Sequence, residues 1–173
     1  MYEPALLEED TSLRAWWHLA RAGCRLISHL TPFVERFGVT GPQFGVIRTL
    51  GEAGPDGLPL GQLSERLLVS CGNITGIVDR LEDAGYLYRE RSDEDRRVVI
   101  ARLTPPGEAL YDEAIPVLVR AVEEAMSALD PREQVELARL TRKLELAIAD
   151  SDGDGARAGP PELAPTWREH SWR

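Results

Sequence analysis

Residues 70–107 read SCGNITGIVDRLEDAGYLYRERSDEDRRVVIARLTPPG, and the periodicity changes partway along. Ile74, Ile77, Val78 and Leu81 recur at intervals of three and four, which aligns them on one helix face and predicts a helix from Asn73 to Ala84 that stops at Gly85. Beyond Gly85 the pattern becomes strand-like. Residues 87–91 and 98–103 flank the charged turn Ser92-Asp-Glu-Asp-Arg-Arg97, which is a hairpin pattern. Thr104-Pro-Pro then starts another helix, with Thr104 as N-cap and proline tolerated in the first turn.

Working outward, a short helix from Leu60 to Leu68 precedes the stretch, separated from it by a break at residues 69–72. Two helices joined this tightly predict a helix-turn-helix. Further upstream, a helix from Gly41-Pro42 runs through Phe44, Val46, Ile47 and Leu50 and ends among the turn formers of residues 51–57. The first helix carries Leu13, Trp16, Trp17, Ala20, Cys24, Ile27 and Leu30, widened by Leu19 and Leu26, and Thr31-Pro32 is expected to interrupt it. Downstream, a helix through Leu110, Ala114, Val117 and Ala121 contains Pro116, an expected kink. Asp130-Pro-Arg-Glu133 reads as a capping box for a last helix through Leu137, Leu140 and Leu144. The last two helices, with the first, have more apolar surface than a winged helix-turn-helix needs, so shared burial between two copies of the chain is the economical explanation. From Ser151 on, Gly, Pro, Ala and acids dominate and no packed structure is expected, although Trp167 and Trp172 are candidates for docking on a surface groove.

The fold class is therefore mainly α with a small β-hairpin wing. Residues 1–39 form an N-terminal dimerisation region, 40–104 a winged helix-turn-helix, 105–149 C-terminal dimerisation helices and 150–173 a tail.

The net charge of −9 over 173 residues argues at first against a nucleic-acid partner. The excess acid is displaced from the decisive stretch, however: residues 103–129 alone carry −4, whereas 60–102 carry −1. With a Debye length of about 8 Å at physiological ionic strength, distant acids contribute little at a contact face. The cysteines, Cys24 and Cys71, are too far apart in sequence to be a zinc-ligand pair and too few for a disulfide framework. The N-terminal Glu3, Glu8, Glu9 and Asp10 do not resemble a secretion signal, and no run approaches the ~18 apolar residues of a membrane span. A soluble, cytoplasmic protein with no membrane partner is expected.

Thr40-Gly-Pro-Gln-Phe44, the helix from Leu60, Asn73-Ile-Thr-Gly-Ile-Val-Asp-Arg-Leu-Glu82, Gly85-Tyr-Leu-Tyr-Arg89, Asp93-Glu-Asp-Arg-Arg97 and Leu103-Thr-Pro-Pro-Gly107, in this order and spacing, resemble the MarR-type transcriptional regulators. The resemblance implies a homodimeric winged helix-turn-helix binder of double-stranded DNA, often a repressor released by a small molecule or by oxidation. It also implies that Asp95 braces the wing turn and that Arg97 pairs with Asp79, fixing the wing to the recognition helix and leaving Arg96 to reach the groove.

The residues support DNA contact independently. The start of the recognition helix, Ser70 to Gly76, contains no acid, so its free N–H groups and positive dipole end are available to phosphate. Ser70 and Thr75 add hydroxyl donors, Asn73 is a candidate reader of an adenine edge, and Gly72 and Gly76 permit close backbone approach. Helix capping is the alternative role of Ser70 and Asn73. Asp79, Glu82 and Asp83 are expected to point away from DNA or to be paired. Residues 89–102 carry five arginines, Arg89, Arg91, Arg96, Arg97 and Arg102, against four acids, a composition suited to a narrow minor groove. Arg80 is a candidate for either a phosphate contact or an internal ion pair.

Trp16 and Trp17 lie on the helix that, in the resembled family, borders an effector cleft, and Arg48 is one candidate counter-charge for an anionic aromatic ligand. Core packing is the competing role of the tryptophans. Cys71, near a helix N-terminus, offers an alternative as an oxidant sensor. A winged helix that binds protein rather than DNA is the other alternative.

Asp150-Ser-Asp-Gly-Asp-Gly155 begins like a calcium loop, but Pro161 occupies the position of the required bidentate glutamate. His18, His29 and His170 lack metal-ligand spacing, and no nucleotide-binding or hydrolase motif occurs. Neither cofactor, metal nor enzymatic activity is expected. The leading reading is a homodimeric, sequence-specific repressor bound to a near-palindromic operator and released by a phenolic or aromatic anion.

Overall fold

The computed structural model describes residues 10–68 and 70–155. The side chain of Cys71, and with it the oxidant-sensor reading, lies outside the described residues, as do Trp167 and Trp172. The elements in chain order are α1 (Thr11–Glu35), α2 (Gly41–Ala53), β1 (Leu58–Pro59), α3 (Leu60–Leu67), α4 (Cys71–Asp83), β2 (Leu87–Arg91), β3 (Val99–Leu103), α5 (Pro105–Met126) and α6 (Pro131–Gly155). They form two compact units that divide between Ala125 and Met126. The architecture is mainly helical with one three-stranded antiparallel sheet of order β1-β3-β2.

The core of the first unit forms where α2, α3, α4 and the sheet converge. Val46, Ile47, Leu63, Val78 and Leu81 have no exposed surface. Ile74, Ile77, Val78 and Leu81 of α4 all turn inward, as their spacing predicts. Burying each such side chain stabilises the fold by about 1.5–3 kcal/mol.

The helix ends are set by local chemistry. At α2 the Gln43 N–H donates to Thr40 Oγ1 (3.4 Å) and the Thr40 N–H donates to Gln43 Oε1 (2.9 Å), satisfying two amide donors reciprocally. At the end of α4, Gly85 adopts φ +77°, and the Gly85 and Tyr86 amides donate back to the carbonyls of Glu82 and Leu81 (2.9 Å each). This closure turns the chain sharply into β2. Thr104 accepts from the Gly107 amide (3.3 Å) and donates to the Gly85 carbonyl (2.6 Å), so the cap of α5 also holds the α4–β2 turn.

Several boundaries differ from expectation. α1 continues through Pro32, because the one hydrogen bond that proline removes is outweighed by packing of the following turn, where Val34 is buried. α5 runs through Pro116, in keeping with a single helix there, with Ala114 and Ala121 buried on either side. α4 begins at Cys71, so Gly72 belongs to the first helical turn instead of the break. β1 has no counterpart in the sequence pattern, because two residues carry no readable period; its Pro59 is tolerated because β1 is an edge strand pairing Leu58 with Ala101 and Pro59 with Ile100.

Much of the α1 stripe lies in solvent, with Trp16 61% and Ile27 69% exposed. In the second unit, Asp130 and Glu133 form the capping box: the Arg132 and Glu133 amides donate to Asp130 Oδ1 (2.7 and 3.0 Å), and the Asp130 amide donates to Glu133 Oε2 (2.9 Å). α6 keeps Val135, Leu140, Leu144, Leu146 and Ile148 exposed and extends to Gly155, into the stretch assigned to the tail. Among the described residues no helix is long and apolar enough to cross a membrane.

Candidate nucleic-acid interface

Ser70 caps α4, accepting from the Asn73 amide at 3.4 Å. One first-turn donor is thereby satisfied, while Ser70, Gly72, Asn73 and Thr75 are all exposed and no acid occupies the turn. The volume a Cβ would take at Gly72 is empty, so an external backbone can approach the N–H groups there. Gly76 is half-buried one turn further on, with an Arg80 guanidinium nitrogen 3.9 Å from the point where its Cβ would lie. The exposed Arg80 side chain thus lies back along the helix toward its N-terminus. Among the described residues Arg80 has no ion-pair partner, which leaves its charge for an external group.

The wing follows from the sheet register. Leu87 pairs with Leu103, Arg89 with Ala101 and Arg91 with Val99. Alternation places Arg89 on the same face as buried Leu87, the face packed on α4. Arg89 clamps that helix. Its Nη1 lies 2.7 Å from Asp79 Oδ1, its Nε and Nη2 donate to Glu82 Oε2 (2.9 and 2.5 Å), and its amide donates to Glu82 Oε1 (2.9 Å). The guanidinium's hydrogen bonds hold the Glu82 carboxyl below its ordinary 4.5, and Glu82 and Asp79 raise the pKa of Arg89.

The expected Arg97–Asp79 pair is therefore replaced by Arg89–Asp79. Arg89 lies near the start of β2, directly after the Gly85 turn, whereas Arg97 follows a strand that rises about 3.3 Å per residue away from the helix. In the sequence, Asp79 and Glu82 share a helix face at i, i+3 and Arg89 shares a strand face with Leu87, but nothing there says that the two faces meet.

At the far end of the hairpin, Ser92 Oγ accepts from the amides of Glu94 (3.3 Å) and Asp95 (3.5 Å), and the Ser92 amide donates to the Val98 carbonyl (2.9 Å). The Asp95 carboxylate accepts from the Arg97 amide (3.0 Å), Nε (3.1 Å) and Nη2 (3.1 Å), which lowers its pKa. Arg97 is nonetheless 91% exposed.

Arg102 faces the other side of the sheet, donating to Glu90 Oε1 (2.5 Å) and to the Pro55 carbonyl, with Asp56 at 3.9 Å. Arg89 and Arg102 thus belong to the base of the wing. Arg91 donates only a long bond to the Arg96 carbonyl (3.4 Å), and Arg96 has no ion-pair partner among the described residues.

The ligand candidates divide between two places. Trp16 and Trp17, their ring centres 6.4 Å apart, line a shallow surface of α1 with Arg21 over the Trp17 ring at 5.3 Å. Arg48 instead lines a groove of about 560 Å³ between α1, α2 and α5, walled by Ile27, Val34, Phe44 and Leu118, and it is paired with Glu52 at 2.7 Å. Helical geometry separates them: Trp16 and Trp17 lie in the first two turns of α1, whereas the residues it contributes to the groove are Ile27 and later. Among the described residues no cluster of three or more His, Cys, Asp or Glu could hold a metal ion.

The sequence model described as the MarR family matches residues 39–99, from the cap of α2 to the start of β3. The chain is 32% identical to the uncharacterized HTH-type transcriptional regulator YkoM of Bacillus subtilis, over 79% of this chain and 87% of that one. It is 29% identical to the transcriptional repressor MprA of Escherichia coli K12, over 76% and 74% respectively. Among solved structures, Sco3205 of Streptomyces coelicolor, a MarR family regulator in complex with DNA, superposes with a TM-score of 0.73 at 25% identity, covering 95% of each chain. BpsR of Bordetella bronchiseptica, whose DNA binding is regulated by 6-hydroxynicotinic acid, superposes with a TM-score of 0.69 at 26% identity, covering 76% of this chain and 98% of that one.

Proposed function

Since this chain belongs to the MarR family of transcriptional regulators, we propose that it acts as a homodimeric repressor that binds a near-palindromic operator and leaves it when an aromatic anion binds. One observation carries the DNA reading: the acid-free tip of α4 and the cationic wing belong to one rigidly clamped element, because Arg89 ties β2 to Asp79 and Glu82 of the same helix. In this reading the α4 tip enters the major groove, where Asn73 meets base edges and Ser70, Gly72, Thr75, Gly76 and Arg80 serve the phosphates beside it. The wing tip, with Arg91, Arg96 and Arg97, follows the adjacent minor groove.

A second copy supplies the other half-site, about 34 Å away along the duplex. The exposed apolar faces of α1 and, separately, of α6 support this, since such faces on a soluble chain are covered by a partner. The effector reading rests on the groove between α1, α2 and α5: its wall is apolar, its volume of about 560 Å³ suits a small aromatic molecule, and Arg48 at its edge offers a counter-charge once released from Glu52. BpsR and its ligand set the precedent for the chemical class, and MprA for repression.

Selection of bound duplexes from a random pool tests the proposal directly. An inverted-repeat consensus, bound by two chains with affinity that falls steeply with salt, is the expected outcome. A monomer at micromolar concentration, or recovery of no consensus, would overturn it. Repeating the selection with hydroxylated aromatic acids present tests the effector class.

A further inference from the structure

A cavity of about 330 Å³ opens between the C-terminal end of α2, the base of the wing and the first turns of α5, and it shares no lining residue with the α1–α2–α5 groove. Leu50 and Leu103 provide apolar wall, Tyr88 and Tyr111 two aromatic rings, and Glu108 and Asp112 two carboxylates. The carboxylates, both solvent-exposed, stand at i, i+4 on one face of α5, Glu108 in its first turn. No Lys, Arg or His lines the space, and neither carboxylate has an ion-pair partner among the described residues. The neighbouring cation, Arg102, is committed to Glu90 and the Pro55 carbonyl. The C-terminal end of α2 adds the negative end of its dipole at Leu50, Gly51 and Gly54. One of the two rings is fixed in place: a Cβ at Gly51 would overlap the Tyr111 ring, so that ring rests directly on the α2 backbone.

We propose that this cavity binds a monovalent organic cation with a small apolar or aromatic body, an alkyl- or arylammonium. Two carboxylates, though exposed and screened by solvent, and the C-terminal end of α2 favour positive charge, and the tyrosine rings favour a diffuse cation over a tightly hydrated one. A divalent metal fits less well, because two carboxylates fall short of the six or more oxygens a hard ion requires and no third acidic or histidine ligand completes the set among the described residues. The site is opposite in charge preference to the effector groove and differs from it in place. Since Tyr88 and Leu103 belong to the wing and Glu108, Tyr111 and Asp112 to α5, an occupant bridges the two elements and biases whichever wing position suits it better.

The test is calorimetric titration of the full-length chain, without DNA, using benzyltrimethylammonium as probe and benzoate as an anion of similar size. The expected result is saturable binding of one benzyltrimethylammonium per chain. Affinity is expected to fall at least about tenfold in the Glu108→Gln/Asp112→Asn double variant, whose amides preserve shape, and also in Tyr111→Leu, which preserves both carboxylates. Thermal melting checks that each variant is folded. No saturation at millimolar probe, undiminished affinity in the double variant, competition by benzoate, or equal displacement by magnesium would each overturn the proposal. The readout needs no operator, so its failure and that of the DNA reading are separable.

Discussion

The two ends of the wing are built from the same residue type to opposite purposes. At the base, Arg89 and Arg102 are 29% and 23% exposed; Arg89 is held by the Asp79 and Glu82 carboxylates of α4, and Arg102 by Glu90 on the neighbouring strand and the Pro55 carbonyl of the α2–β1 loop. At the tip, Arg97 is 91% exposed and has only a neighbour two residues away as partner, while Arg96 has none among the described residues. An arginine's function in this hairpin thus follows from its distance to the body of the protein. Near α4 and the α2–β1 loop, fixed carboxylates compensate the charge and turn it into a clamp. At the far end only local acids reach it, and the body of the protein leaves the charge uncompensated.

This comparison can be broken, beginning with the strongest effect. Leu87→Ala, which opens a cavity under the base, is expected to cost about 2–5 kcal/mol in chemical denaturation. Arg89→Ala is expected to cost about 1–2 kcal/mol, discounted for partial exposure, because Asp79 and Glu82 lose their partner. Operator affinity should fall with it through misplacement of the wing, and an unchanged melting temperature would refute the clamp. Arg96→Ala should reverse that pattern: unchanged stability, affinity lower by about tenfold in a mobility-shift assay at moderate salt, and a salt slope reduced by about one. Arg97→Ala should weaken binding less than Arg96→Ala, since Asp95 already offsets its charge. Equal losses for the two would remove that distinction.

The smallest expected effect is in acid. The Glu82 carboxyl titrates below its ordinary 4.5 because Arg89 bonds the ionised form, so the unfolded chain takes up this proton first as pH falls. The stabilisation is complete above pH 4.5 and is lost as pH drops through the folded value. Urea midpoints followed downward from pH 7 should fall more steeply in the wild type than in Glu82→Gln.

Much of this was legible from the chain. The shift from helical to alternating period at Gly85 marked the recognition helix and the hairpin, and Asp130-Pro-Arg-Glu133 marked its own capping box, because such signals depend on residues a few positions apart. Two-residue β1 was invisible for the converse reason, since its partner Ala101 lies 43 residues away from Leu58. Pro32 misled in the same sense: it opposes helix locally, and packing of Val34 overrides it. Among the candidate site residues, Ser70, Gly72, Asn73 and Thr75 were recognisable as an uncharged, exposed helix start, whereas the partners of the wing arginines were not.

The sequence by itself determined the order of helices and hairpin, the absence of acid at the α4 tip and the concentration of arginine in the wing, because composition and short-range periodicity suffice for these. Only the tertiary structure decided which arginine takes Asp79, that Arg48 lies apart from Trp16 and Trp17, and that Gly51 gives the Tyr111 ring its place. Each of these depends on groups brought together by packing across long loops, where ångström distances govern electrostatic and steric energy and sequence spacing carries no information about them.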